Sequence, residues 1–122
     1  MIGERWLVGG DTGVILEVTA PRIPCQTFQS WMREPHWVKR FTAQGDVGVY
    51  LRVLRPGTVR AGDPIQVRDR PAHGVTARDV FHAADPSRLR QLLAEGERLH
   101  PSLVARLTKA LDRQAVQRDV TA

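Results

Sequence analysis

The chain carries a single cysteine, Cys25, inside the stretch PRIPCQTFQSWM that runs from Pro21 to Met32. A thiol can serve as a nucleophile or as a soft-metal ligand, and in both roles the thiolate is the active form. Three local features favour it. Pro24 stiffens the backbone just before the cysteine, a helix expected from about Thr27 directs its first amides at the turn, and Arg22 adds positive charge three positions away. A lone cysteine is also commonly a small buried residue, so these residues alone leave two readings: a reactive or metal-binding thiol, or a piece of core.

The other residues with chemical potential narrow the field. His36, His73, His82 and His100 lie far apart, and none pairs with another histidine or with Cys25 at the close spacing of zinc motifs. Cys25 with a distant histidine meets the minimal condition for a hydrolase dyad, but so do many chains by chance. Gly9-Gly10 sits in an expected hairpin turn with no helix behind it, so the chain offers no dinucleotide or phosphate-binding glycine loop. Lys39 and Arg40 read as a solvated face. Arg52, between Leu51 and Val53 on a strand, could present its planar fork to a phosphate oxygen.

Elements that would position these residues follow from the hydrophobic pattern. Arg5 to Val8 and Val14 to Thr19 read as a hairpin ending at Pro21. Phe28, Trp31 and Met32 recur at helical spacing, and Trp37, Val38 and Phe41 form a second short helical face that stops near Gly45. Val47 to Val53 alternates as a strand, and Ile65 to Val67 follows the Gly62-Asp63-Pro64 turn. After Pro71 the character changes to helix. Thr76 with Asp79 is a capping box, Asp85 caps a helix with Pro86 at its first position and Gly96 as its stop, and Pro101 opens a helix with Leu103, Val104, Leu107 and Leu111 on one stripe. The tail from Gln117 to Ala122 is expected to fray.

At 122 residues and 42% hydrophobic content, the chain can bury one modest core. No apolar run is long enough to span a bilayer and the N-terminus is not a secretory signal, so a cytoplasmic protein is expected. One cysteine makes no internal disulfide, which suits a reducing compartment. The net charge of +5 is spread over both halves rather than gathered in a basic tail, so no dedicated nucleic-acid binding and no membrane partner are expected.

Several ordered blocks together resemble the MOSC domain family, closest to its YiiM-like branch, which is linked to resistance against hydroxylaminopurine. They are Ile2 to Trp6, Leu16 to Cys25, Trp37 to Phe41 and Gly48 to Ile65, with Val75 to Leu111 similar to the three-helix segment that follows MOSC in that branch. The resemblance implies mixed β and α structure: a partial MOSC-type β-barrel over residues 1–70 with a short helical insertion, then a three-helix domain over 75–115. It implies the molybdenum cofactor, a pterin dithiolene carrying molybdenum, with Cys25 as metal ligand and catalytic residue and with Arg22 and Arg52 as contacts to the cofactor's phosphate or pterin oxygens or to substrate. The implied activity is reduction of small N-hydroxylated compounds, with electrons from a donor protein.

Family members carry a substantial segment, including His-Gly-Gly and Gly-Glu-Asn elements, before the Ile-Gly-acid element; here Met1 directly precedes Ile2-Gly3-Glu4. The expectation is a truncated chain whose open sheet edges favour self-association. Two alternatives use the same residues without a complete cofactor pocket: a non-catalytic interaction module, and a sulfur carrier holding a persulfide on Cys25.

Overall fold

The hairpin that begins the chain is set by glycine. In the computed structural model, which describes residues 1–121, strands β1 (Arg5–Val8) and β2 (Val14–Pro21) are joined through Gly9 and Gly10 at φ +89° and +85°, where a side chain would be strained. Two short helices follow, α1 (Gln26–Met32) and α2 (Trp37–Gln44), then strands β3 (Val49–Arg55) and β4 (Ile65–Asp69). The C-terminal part holds α3 (Ala77–His82), α4 (Pro86–Leu93), a 3-10 turn at Gly96–Arg98 and α5 (Pro101–Thr121).

The four strands make one antiparallel sheet in the order β3-β2-β1-β4. It does not close, so β3 and β4 are both edges. Register irregularities between Arg5 and Trp6, Ile15 and Leu16, and Val18 and Ala20 bend the sheet. The core lies where one end of this sheet meets the helices: Ile2 and Val18 pack with Val75, Val80, Leu89, Leu92, Leu103 and Leu107, all essentially buried.

The helix starts match their sequence signals. Thr76 and Asp79 form the reciprocal capping box at α3, and Asp85 accepts from the Ser87 amide with Pro86 in the first turn of α4. Four boundaries differ from expectation. Helix α4 ends at Leu93 with Ala94 as its cap, and Gly96, the expected stop, opens the 3-10 turn instead. Strand β3 runs Val49–Arg55 rather than 47–53, because the Gly48 carbonyl accepts from the Arg22 amide at 2.7 Å while Arg55 extends the ladder opposite Ile15. Strand β4 continues to Asp69, which pairs with Arg5. Helix α5 persists to Thr121 where fraying is expected; Gln114 ties it to the Ala83 carbonyl across to α3. Ala122, the last residue of that tail, lies outside the described residues. Among the described residues no helix is long and apolar enough to cross a membrane.

Candidate functional site

Strand β2 delivers the cysteine. Pro21 ends it opposite Val49, the Arg22–Gly48 hydrogen bond pins the chain to the start of β3, and the buried ring of Pro24 packs below the turn. Cys25 then occupies the N-cap position of α1 in extended conformation, φ −127° and ψ 170°, with its thiol exposed. The Phe28 amide, joined by the Thr27 amide and hydroxyl and by the Arg22 charge, holds that thiol below the usual cysteine range against a smaller opposing desolvation.

The thiol opens onto a cavity of about 720 Å³ whose walls include Arg22, Pro24, Cys25, Phe28, Trp31 and Phe41. Its aromatic side is built by α1 and α2 packing on each other. Phe28 meets Trp37 and Phe41 edge-on, with ring centres 5.6 and 5.2 Å apart, and Gln29 accepts from the Val38 amide at 2.9 Å to fix the second helix against the first. Trp31 stands 81% exposed at the mouth. Sequence periodicity marks Phe28 and Trp31 as one helical face but assigns them no part in a site; their spacing directly after the cysteine is the signal that they share its cavity.

The structure brings Arg22 and Cys25 together and places Arg52 elsewhere. Arg52 lies opposite Glu17 on β2, and its guanidinium donates to that buried carboxylate, which also accepts from Arg5 Nε at 2.9 Å. Arg52, Arg5 and Glu17 line a second cavity of about 620 Å³, together with Arg70 and the buried His73. His73 Nδ1 accepts from the Val75 amide at 2.9 Å, which leaves the ring proton on Nε2 when the imidazole is neutral. Glu4, which pairs with Arg70, is itself buried. Burial opposes its charge, but the Trp6 indole at 2.7 Å, the Met1 ammonium and Arg70 outweigh that and hold its carboxyl below the usual range.

Among the described residues no three histidine, cysteine or carboxylate side chains converge on a metal position. A metal at Cys25 would take one sulfur from the protein and its remaining donors from a cofactor. The local chemistry fits such a group: a soft thiolate donor, a guanidinium beside it, and a cavity within the roughly 300–1,000 Å³ range of cofactor sites.

An unclosed bulged sheet with a cysteine at the β2–α1 turn and a helical pair inserted before β3 defines the class of protein. Residues 1–66 match the MOSC domain family, and the chain belongs to it. The structure of YiiM from Geobacillus stearothermophilus superposes with a TM-score of 0.76 at 23% identity, covering 90% of this chain and 57% of that one. YiiM from Escherichia coli gives a TM-score of 0.73 at 22% identity, covering 93% and 56%. A protein from Gibberella moniliformis (strain M3125 / FGSC 7600) named "Reductase" is 39% identical over 70 residues, which are 57% of this chain and 12% of the relative. The chain thus spans about half the length of the solved structures it resembles, and about an eighth of the reductase.

Proposed function

We propose that this chain carries the metal-ligand half of a molybdenum-cofactor site, with Cys25 as the protein's thiolate ligand, and that the site reduces small N-hydroxylated compounds. The observation that carries the reading is the exposed Cys25 thiol, favoured as thiolate by the Phe28 and Thr27 amides, at the wall of a cavity large enough for a cofactor. Membership of the MOSC family and a relative named as a reductase support it. The cofactor, when bound, supplies the removal of oxygen from an N–OH group, a two-electron, two-proton reduction that yields an amine and water and draws its electrons from an external donor.

The chain's own residues hold and shape. Cys25 ligates through sulfur. Arg22, on the same wall, offers a guanidinium to a phosphate or pterin oxygen. Phe28, Trp31 and Phe41 exclude water from one side and give a flat substrate apolar surface to lie on. Arg52, engaged by Glu17 at the second cavity, reaches a cofactor only by exchanging that partner, so its part is secondary to that of Arg22.

Metal and pterin analysis of the purified protein tests this reading. Near-stoichiometric molybdenum and pterin are expected. Absence of both, with cyanide-labile sulfur on Cys25, would replace it with a sulfur-carrier role; absence of all three would leave a non-catalytic module.

A further inference from the structure

The α1–α2 pair carries the aromatic wall of the Cys25 cavity, yet among the described residues neither helix contributes a buried one. Packing of apolar side chains is what ordinarily seats a short helix on its neighbours, so the contacts at the two ends of this insert weigh more. At its start, the Arg22 amide donates to the Gly48 carbonyl at 2.7 Å and Pro24 is buried. At its far end the chain turns through Gly45, which is buried although Gln44 and Asp46 on either side of it are exposed.

The cover over Gly45 is His82 of α3. Its ring lies so close that a Cβ on residue 45 would collide with Nε2, and at φ +78° the backbone there favours glycine in any case. Phe81 steers the ring from beside it, with the two ring centres 5.5 Å apart. Helix α3 is itself firmly seated: its buried Val80 belongs to the main core, and the Ala83 carbonyl at its end accepts from Gln114 of α5. Gly45 in turn closes the last turn of α2, its amide donating to the Phe41 carbonyl at 3.2 Å. Phe41 lines the cavity, and its ring meets that of Phe28, three positions after Cys25. Arg78 of α3 adds an ion pair with Asp46 at 3.0 Å, but with side chains 55% and 65% exposed it contributes little by itself.

We propose that His82 is a positioning residue for the Cys25 cavity: by covering Gly45 it seats the C-terminal end of α2, and with it the Phe41 wall, on the C-terminal helices. The contact lies between residues of this chain, so it persists whatever else packs on their outer faces. It gives the helical segment after the sheet a part in the site, although none of the described lining residues of the cavity belongs to α3. Its functional meaning rests on the reading of that cavity as a cofactor site; the contact itself does not.

Hydrogen exchange read by mass spectrometry, together with a nitroxide attached to Cys25, the chain's single cysteine, tests this. His82→Ala should speed exchange over residues 37–44 about tenfold while the sheet and α5 keep their protection. The nitroxide should be partly immobilised in the wild-type cavity and more mobile in the same variant. His82→Gln, which keeps a planar group of similar reach over Gly45, should restore most of both signals. Gly45→Ala should mimic the loss, and in the His82→Ala background it should add less than it costs alone, because the clash is gone and only backbone strain remains. Four results would overturn the proposal: exchange and nitroxide spectrum unchanged in His82→Ala, faster exchange spread alike over the sheet and α5, a glutamine no better than alanine, or strict additivity of the two alanines. None of these readouts involves molybdenum, so a failure here leaves the role proposed for Cys25 standing, and a chain that binds no molybdenum leaves this contact standing.

Discussion

Replacing Glu17 with glutamine should cost far more than a surface charge usually does. Its carboxylate is buried in the middle of a cross-strand row, Arg5 on β1 and Arg52 on β3, and accepts from both. Hydrogen bonds to a charged group contribute about 1.5–3 kcal/mol each, so two would be worth roughly 3–6 kcal/mol if all three groups were buried. They are not: the arginine side chains are 47% and 46% exposed and regain water when released. Discounting by about half for that solvation, and crediting the one acceptor that glutamine retains, leaves a loss of about 1.5–2.5 kcal/mol. For a chain of this size that lowers Tm by roughly 5–10 °C. Thermal and urea unfolding of the wild type, Glu17→Gln, Arg52→Gln and the double variant would measure both the loss and the coupling. The double variant should cost clearly less than the sum of the singles. A loss below about 0.5 kcal/mol for Glu17→Gln, or strict additivity, would show that this row behaves as an ordinary solvated pair and refute the reasoning.

Three further outcomes follow from the packing and the titrating groups. Leu89→Ala removes a fully buried side chain from the junction of sheet and helices and should cost about 2–5 kcal/mol in urea unfolding. Glu4 titrates below its unfolded value, so its contribution is present at neutral pH and is lost as pH falls through the folded-state value; Glu4→Gln should be less stable than wild type at pH 7, with the difference shrinking and then vanishing as the solution is acidified past that value. Iodoacetamide should alkylate Cys25 with a pH midpoint below the roughly 8.5 of a free thiol, and Thr27→Val, which removes one of the groups facing the sulfur, should move that midpoint upward.

Local rules made much of this fold legible in the sequence. The Gly9-Gly10 turn, the Thr76–Asp79 box, the Asp85-Pro86 start and the Pro101 start are each decided within a few residues, and each is where its pattern places it. Long-range pairing was less visible. That Arg52 belongs to Glu17 depends on the β2–β3 register, which two irregularities shift and which no local pattern encodes. The alternation read into β3 likewise has little expression in burial, because a strand at an open edge is exposed over most of its length. At the site, the cysteine and its Arg22 neighbour are close in sequence and are found together. The aromatic wall needed α1 and α2 folded against each other before Phe41 could join Phe28.

The role of Cys25 is the central claim, and X-ray absorption at the molybdenum edge addresses it most directly. Cofactor-loaded wild-type protein should show one more sulfur neighbour at molybdenum than Cys25→Ser prepared in the same way. Equal sulfur counts in the two proteins would contradict the account and remove Cys25 from the metal.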